Sequence, residues 1–143
     1  MSEIPSEGAL IAPPVVPGVV HLRSERRASA TADRLAELVR AKGLTLFARI
    51  DFASDAAAAG LTLAPMIQIV FGNPRAGTPL LAANPVSGLA LPLRALAWED
   101  ADGHSWLSYE APEALITRFD ILAALGANIA GLRAFCEAAV AAG

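Results

Sequence analysis

The spacing of hydrophobic residues predicts several β-strands in the middle of the chain. Across residues 44–52, apolar side chains recur at every second position, as in a half-buried strand with Leu44, Leu46, Ala48, Ile50 and Phe52 on one side. Residues 66–71 form a continuous apolar run, which is typical of a more central strand. Residues 89–98 are again apolar, but Pro92 cannot donate to a hydrogen-bond ladder, so we expect an edge strand or a bulge there.

Helical patterns flank and interrupt these strands. Thr31 is a candidate N-cap for the first helix, with an apolar stripe after it. Residues 54–60 predict a short alanine-rich helix, and Thr78 followed by Pro79 has the form of an N-cap and a first helical residue. A second apolar stripe over residues 122–140 predicts a helix near the C-terminus.

Two further strands complete the expected order. Residues 19–23 are a short strand candidate, and the Asp102-Gly103 pair predicts a hairpin that leads into a strand over residues 104–109. The order β-α-β-β-β-β-α, with short helical inserts, favours an α+β fold with a mainly antiparallel sheet and helices packed on one face. We expect residues 19–143 to form a single α+β domain, preceded by an extended proline-rich arm over residues 1–18.

Composition and charge exclude several classes of protein. The 143-residue chain is 55% hydrophobic with a mean hydropathy of +0.48, but prolines interrupt its longest uncharged stretches, so we expect no membrane-spanning helix and no membrane partner. The 11 basic and 14 acidic residues give a net charge of -3, the wrong sign for neutralising phosphates, so nucleic acid is not an expected partner. Cys136 is the single cysteine and the N-terminal residues do not resemble a signal peptide, so we expect a cytoplasmic protein.

Histidine and cysteine chemistry has few candidates in this sequence. His21 and His104 are the two histidines, and neither has a metal-ligand or triad partner at a recognisable spacing. We therefore expect both to be ordinary strand residues, and we expect no metal and no cofactor. Cys136 lies in the apolar stripe of a predicted helix, where a structural thiol is expected.

Residues 72–78 form the most conspicuous local motif, because two glycines at the spacing of a phosphate loop follow a predicted buried strand. The lysine that such a loop needs after its second glycine is replaced by Thr78, so nucleotide hydrolysis is not expected. Free N–H groups at the start of the Thr78 helix, with Arg75 beside them, would still hold a small anion. The alternative is that these residues form a turn and cap a helix.

Acidic residues offer two further candidate sites. Asp51 ends the alternating strand, where it reads either as a ligand contact or as the cap of the following helix. Glu99, Asp100 and Asp102 resemble the start of a calcium loop, but the later bidentate glutamate is missing, which favours a solvated hairpin turn.

Several segments together resemble the bacterial domain-of-unknown-function family 302. They are residues 31–43 (from TADRL through KG), 47–51 (FARID), 71–80 (FGNPRAGTPL), 91–100 (LPLRALAWED) and 106–109 (WLSY), with Pro112 and Arg118, within a similarity that covers about residues 18–122. The resemblance implies a compact α+β domain similar to a single copy of the TATA-binding-protein-like fold, and it implies no established activity.

This chain departs from that family's pattern at polar positions. Phe52 and Phe119 stand where the family usually has histidine, and Ala90 replaces a usual aspartate. A phenyl ring removes the proton-transfer and metal-ligand options of imidazole. The polar residues that the family pattern retains here are Asp51, Asn73, Thr78, Glu99, Tyr109 and Arg118.

Two hypotheses follow from these residues. The first is a non-catalytic module that binds a small anionic ligand or a partner, with Asn73, Arg75, Thr78 and Arg118 as the contacts. The alternative is an enzyme in which Asp51 and Glu99 form an acid-base pair in a closed cleft. We also expect a homodimer, because an edge strand marked by Pro92 must be covered or paired.

Overall fold

The structure, a computed structural model, describes residues 11–142 and consists of one antiparallel sheet with helices. Residues 1–10 of the expected arm lie outside the described residues. The strands are β1 (Val19–Ser24), β2 (Thr45–Asp51), β3 (Met66–Gly72), β4 (Leu93–Glu99) and β5 (Ser105–Glu110). The helices are α1 (Ala28–Ala41), α2 (Phe52–Ala58), α3 (Pro74–Ala83), α4 (Pro112–Arg118) and α5 (Leu132–Val140).

The strand order is β1-β5-β4-β3-β2, and each neighbouring pair is antiparallel. Two 3-10 helices, Pro85–Leu89 and Ala123–Asn128, interrupt the connections. The predicted α+β class with an antiparallel sheet is therefore confirmed. The likeness to a single TATA-binding-protein-like copy stays a prediction.

One face of the sheet carries the main hydrophobic core. Ile67, Ile69 and Phe71 of β3 are at most 4% exposed and lie on this face, because alternate residues of a strand share a side. Helices α1 and α5 cover this face, which we call the helix face, and they also pack against each other. The opposite side, which we call the open face, carries the intervening residues of each strand.

Helix α1 begins four residues earlier than expected, with Arg27 at its N-cap position, so the prediction of Thr31 as its N-cap is wrong. Thr31 is fully buried within the first turn, and its hydroxyl contacts the Ser24 hydroxyl at 2.6 Å. The acceptor for the helix terminus comes instead from β4, since Glu99 Oε2 accepts a hydrogen bond of 3.2 Å from the Ala28 N–H. A carboxylate at a helix N-terminus stabilises both the free donor and the helix dipole.

A β-bulge in β2 breaks the alternation that the sequence predicts. The register shifts between Leu46 and Ala48, so Phe47 is an extra residue and is 49% exposed. Leu46 therefore shares a face of the sheet with Arg49 and Asp51. Strict alternation of side chains along the strand would place Arg49 and Asp51 on the face opposite Leu46.

Strand β4 is interior, and the prediction of an edge strand at Pro92 is wrong. Pro92 lies one residue before the start of β4, so it needs no ladder donor. The peptide bond between Leu91 and Pro92 is cis. The strand pairs with β3 on one side and β5 on the other. The expectation of a homodimer rested on an edge strand at Pro92, so it loses that support and stays a prediction.

A second, smaller hydrophobic cluster lies beside the sheet, between α3, α4 and the 3-10 helices. Its buried members are Leu80, Leu91, Leu115, Ile116, Ile121 and Ile129. Among the described residues, the stretch Ala123–Val140 is long and apolar enough by length and composition to cross a membrane. In this fold the stretch comprises a 3-10 helix and α5, and Leu132, Cys136 and Ala139 are buried in the main core.

Gly18 joins the arm to β1 at a close approach to α4. Its φ of +79° is unfavourable for other residues, and an added Cβ would lie 2.7 Å from the Ala114 Cβ. The Gly18 carbonyl accepts a hydrogen bond of 2.7 Å from the Ala111 N–H. The start of β1 is thereby fixed against the helix that follows β5.

The hairpin between β4 and β5 is organised by the buried Asp100. Its Oδ1 accepts from the N–H groups of Asp102 and His104, and its Oδ2 accepts from Trp106 Nε1 at 2.9 Å. These bonds, with the one from Trp106 contributing most, lower the pKa of the Asp100 carboxyl. Gly103, at a φ of +80°, completes the predicted Asp-Gly turn.

We expect Asp100→Asn to unfold at a lower temperature than the wild type at pH 7, because an amide in place of Oδ2 cannot accept from Trp106. The native carboxylate is the stabilised form, so its contribution is present above the ordinary pKa of about 4 and is lost as the pH falls through the lowered native pKa. Thermal unfolding between pH 7 and pH 3 measures this difference, which should shrink with acid. Asp102→Asn is the matched control, and an equal effect of the two substitutions would contradict the assignment.

Candidate functional site

A cavity of about 420 Å³ lies where β3 passes into α3. Residues of β2, the Pro85–Leu89 helix and the beginning of α5 close its other sides. Within the part of the chain that is described, no charged residue contributes to the lining. We call it the apolar cavity; its larger lining residues are Leu44, Phe47, Phe71, Leu81, Leu91, Leu93, Ile129, Leu132 and Phe135. Asn73 and Thr78 are its side-chain hydrogen-bonding residues.

The segment over residues 72–78 runs from the end of β3 into the first part of α3 and is not an open loop. Asn73 is the N-cap, and its Oδ1 accepts a hydrogen bond of 3.0 Å from the Arg75 N–H. Thr78 lies inside the helix, so its prediction as an N-cap is wrong. The signal was available in the sequence, since Asn73-Pro74 is also an N-cap followed by proline at the first helical position.

The first turn of α3 has its N–H groups engaged. Pro74 has none, Arg75 donates to the Asn73 side chain, and Ala76 and Gly77 donate to the Asn73 carbonyl at 2.9 and 2.8 Å. An anion at this helix end would have to displace these bonds. Arg75 itself is exposed and does not line the apolar cavity.

A second cavity of about 320 Å³ lies at the end of the sheet where β4 begins and β5 ends. We call it the polar cavity, and Tyr109 and Arg118 of the predicted site residues line it, with Arg94, Gln68 and Ser108. Arg118 forms an ion pair of 3.1 Å with Glu110 and lies 4.7 Å from the centre of the Phe119 ring. Tyr109 is buried against the core, and this burial raises the pKa of its phenol.

Asp51 and Glu99 are separate helix caps. Asp51 Oδ1 accepts from the Ser54 N–H at 2.9 Å, and this bond lowers the pKa of the carboxyl, whereas a general acid needs a raised pKa. Asp51 pairs with Ile67, and Ile67 pairs with Ala97, two residues before Glu99. This register separates the two Cα atoms by about 12 Å, from about 4.8 Å per strand and 3.3 Å per residue. The geometry does not support an acid-base pair.

The structure thus divides the predicted site residues among several places. Asn73 and Thr78 lie at the apolar cavity, Tyr109 and Arg118 at the polar cavity, and the two carboxylates at helix N-termini. Cys136 is fully buried in α5, and this burial raises the pKa of its thiol to about 12, as a structural role requires. No three His, Cys, Asp or Glu side chains within residues 11–142 are placed to hold a metal ion, and the absence of a bound metal stays a prediction.

A hydrogen-bonded cluster on the open face was not predicted. His21 of β1 lies directly opposite Ser108 of β5, and Ser108 Oγ is 2.7 Å from His21 Nδ1. Trp98 Nε1 donates to the same hydroxyl at 2.9 Å. His21 and Ser108 are 87 residues apart, so the strand register brings them together and no local spacing could indicate the pair.

Residues 20–140 match the family model described as Domain of unknown function DUF302. The chain belongs to this family. Ala90, where the family resemblance expects aspartate, lines the polar cavity with Arg118, whereas Phe52 begins α2 on a different connection. The positions that depart from the family pattern in this DUF302 chain therefore do not all lie at one cavity.

The chain is 39% identical over 104 residues to proteins named fluoride-specific ion channel FluC 1 from Brucella suis biovar 1 and Brucella abortus biovar 1. The match covers 73% of this chain and 41% and 38% of those proteins. The chain thus spans about two fifths of the relatives it matches. A crystal structure of an uncharacterized DUF302 protein from Bacillus stearothermophilus is similar in fold, with a TM-score of 0.71, 18% identity, and coverage of 87% of this chain and 97% of that one.

We expect Asn73→Ala to lower the free energy of unfolding by about 1 kcal/mol, within the range of about 0.5 to 2 kcal/mol for a lost N-cap. Thr78→Ala is the matched control, because Thr78 is exposed inside the helix, where alanine is the better helix former. Urea denaturation measures both. A larger loss for Thr78→Ala than for Asn73→Ala would contradict the observed helix start.

Proposed function

We propose that this DUF302 domain is a binding module for a small, uncharged and largely apolar ligand, which occupies the apolar cavity. The observation that carries the proposal is the lining of this cavity, which combines apolar side chains with the hydrogen-bonding side chains of Asn73 and Thr78. Small-molecule sites commonly have this composition, with a few polar groups that orient the ligand.

The size of the apolar cavity supports a small molecule. Its volume of about 420 Å³ lies within the range of about 300 to 1,000 Å³ for ligand pockets. The Thr78 hydroxyl can donate and accept, and the Asn73 amide nitrogen can donate while its oxygen caps α3. A ligand with one carbonyl or hydroxyl group would be oriented by these two side chains.

The lining favours an uncharged ligand over the small anion expected from the sequence. Moving an ion into an apolar site without a paired charge costs several kcal/mol. The N–H groups in the first turn of α3 are already bonded, so they do not offset this cost. Anion binding by Arg75 and Thr78 therefore becomes the weaker form of the binding-module hypothesis.

The names of the matched relatives raise the question of whether this domain takes part in fluoride transport. Fluoride transport is the function in their names, and more than half of each relative lies outside the matched part. We propose that the shared domain supplies ligand binding rather than transport, and that it acts in the cytoplasm, where the lone Cys136 stays a thiol.

We expect Nile red, a neutral apolar dye, to bind the protein saturably with one site per chain, as measured by fluorescence titration. Gly72→Val should weaken this binding at least about tenfold, or about 1.4 kcal/mol. A Cβ at Gly72 would contact Pro92 and Phe47 at 3.6 and 3.7 Å, so the two further methyl groups of valine would fill the cavity between them.

Ala48→Val is the matched control, because Ala48 lies on the neighbouring strand outside the cavity lining. It should leave the affinity for Nile red unchanged. Equal binding by the wild type and Gly72→Val would reject the apolar cavity as the site. A rise in melting temperature with phosphate that Arg75→Ala removes would instead favour the anion form of the hypothesis.

A further inference from the structure

The cluster of His21, Ser108 and Trp98 on the open face has the arrangement of an activated nucleophile. Ser108 Oγ lies 2.7 Å from His21 Nδ1, and the other ring nitrogen, Nε2, lies 2.9 Å from the Pro14 carbonyl oxygen. A hydroxyl, a base within hydrogen-bond reach and a third group that orients the base are the parts that nucleophilic catalysis requires.

The Pro14 carbonyl determines which ring nitrogen of neutral His21 carries the proton. A carbonyl oxygen accepts hydrogen bonds and cannot donate them, so Nε2 must hold the proton and donate it to Pro14. Nδ1 is then the unprotonated nitrogen and accepts from the Ser108 hydroxyl. The Ser108 proton is therefore directed at the basic nitrogen of His21, as general-base activation needs.

Trp98 contributes a third hydrogen bond to this cluster. Its Nε1 can only donate, and it donates to Ser108 Oγ at 2.9 Å from a ring that is 8% exposed. This bond fixes the hydroxyl rotamer, because the oxygen now accepts from Trp98 and donates to His21. It would also stabilise negative charge that develops on Oγ as the proton leaves.

Ser108 is 9% exposed and lines the polar cavity, where arginine side chains also lie. The charged residues that line that cavity with Ser108 are Arg94, Arg118 and Glu110, and Glu110 is ion-paired with Arg118. Arg94 lies on the open face two residues before Leu96, which pairs directly with Ser108. Arg94 is exposed, and its guanidinium makes no hydrogen bond or ion pair with the residues that the structure describes. An arginine that lines the same cavity as the hydroxyl suits a substrate that carries a carboxylate.

We propose that Ser108 is a nucleophile, activated by His21, that hydrolyses esters of small acids carrying a second, free carboxylate held by Arg94. This activity is distinct from ligand binding in the apolar cavity and does not depend on it.

The chemistry balances with water as the co-reactant. Ser108 Oγ forms a bond to the ester carbonyl carbon while its proton moves to His21 Nδ1, and the carbon–oxygen bond to the leaving alcohol breaks as that proton passes to the alcohol. Water then attacks the acyl-serine, gives a proton to His21, and releases the acid as Ser108 recovers its proton.

Labelling with a fluorophosphonate tests the nucleophile directly. Attack by Ser108 Oγ forms an oxygen–phosphorus bond and expels fluoride, so mass spectrometry of peptides should find the adduct on Ser108. Ser108→Ala should abolish labelling. Ser105→Ala is the matched control, since Ser105 is a buried serine of the same strand on the helix face.

His21→Asn tests the base without removing the hydrogen bond, because an amide oxygen can accept from Ser108 but is not basic. It should slow labelling at least about a hundredfold, the lower end for general-base catalysis. Unchanged labelling in a folded His21→Asn variant would overturn the role of His21. Absence of the Ser108 adduct in the folded wild type would overturn the proposal as a whole.

The substrate class is tested with two nitrophenyl esters, the acetate and the succinate monoester, which differ by a free carboxylate. The wild type should hydrolyse the succinate monoester at least about tenfold faster in kcat/KM, the effect of about 1.4 kcal/mol from a charge-assisted bond. Arg94→Gln should remove this preference, so that the ratio of the two kcat/KM values falls to about one. Equal rates for both esters in the wild type would overturn the carboxylate preference.

Discussion

The antiparallel register of the five strands determines which side chains can act together in this domain. Because successive residues of a strand point to opposite faces, one set of positions packs under α1 and α5 and the other forms the open face. The open-face row formed by Gln68, Leu96, Ser108 and His21 follows directly from this register. A slip of one residue in β5 would move Ser108 to the helix face and bury it under α5.

The N-termini of α1, α2 and α3 are capped by side chains at different distances along the chain, and this explains which of these helix starts could be predicted. Asp51 caps the helix immediately after it, as one of the two readings of the sequence held. The acceptor at the start of α1 is Glu99, which is 71 residues from Ala28. Because local sequence does not carry this contact, it indicates Thr31 instead. Asn73 is a local cap, but the Thr78-Pro79 pair five residues later has the same form, so the dipeptide pattern alone does not identify the helix start.

The strands were predicted more closely than the sites because their signal is local. The alternation and the apolar runs locate β2, β3 and β4, residues 19–23 are a short candidate for β1, and the Asp-Gly pair locates the hairpin that leads into β5. The bulge at Phe47 and the interior position of β4 depend on contacts between strands, which a single sequence does not carry. The same limit applies to the functional residues, since His21 and Ser108 meet through β-pairing, and the seven predicted residues lie at separate places in the fold.

The Pro14 carbonyl belongs to the segment before β1, yet it selects which ring nitrogen of neutral His21, on the sheet, carries the proton. Gly18 positions that segment through a left-handed turn in contact with α4, so the arm and the open face form one chemical unit. If the chain began at β1, the core could remain intact, but His21 would be free to place its proton on Nδ1 and present a donor to Ser108. Residues outside the hydrophobic core thus determine whether the ring nitrogen beside Ser108 accepts a hydrogen bond from this serine or donates one to it.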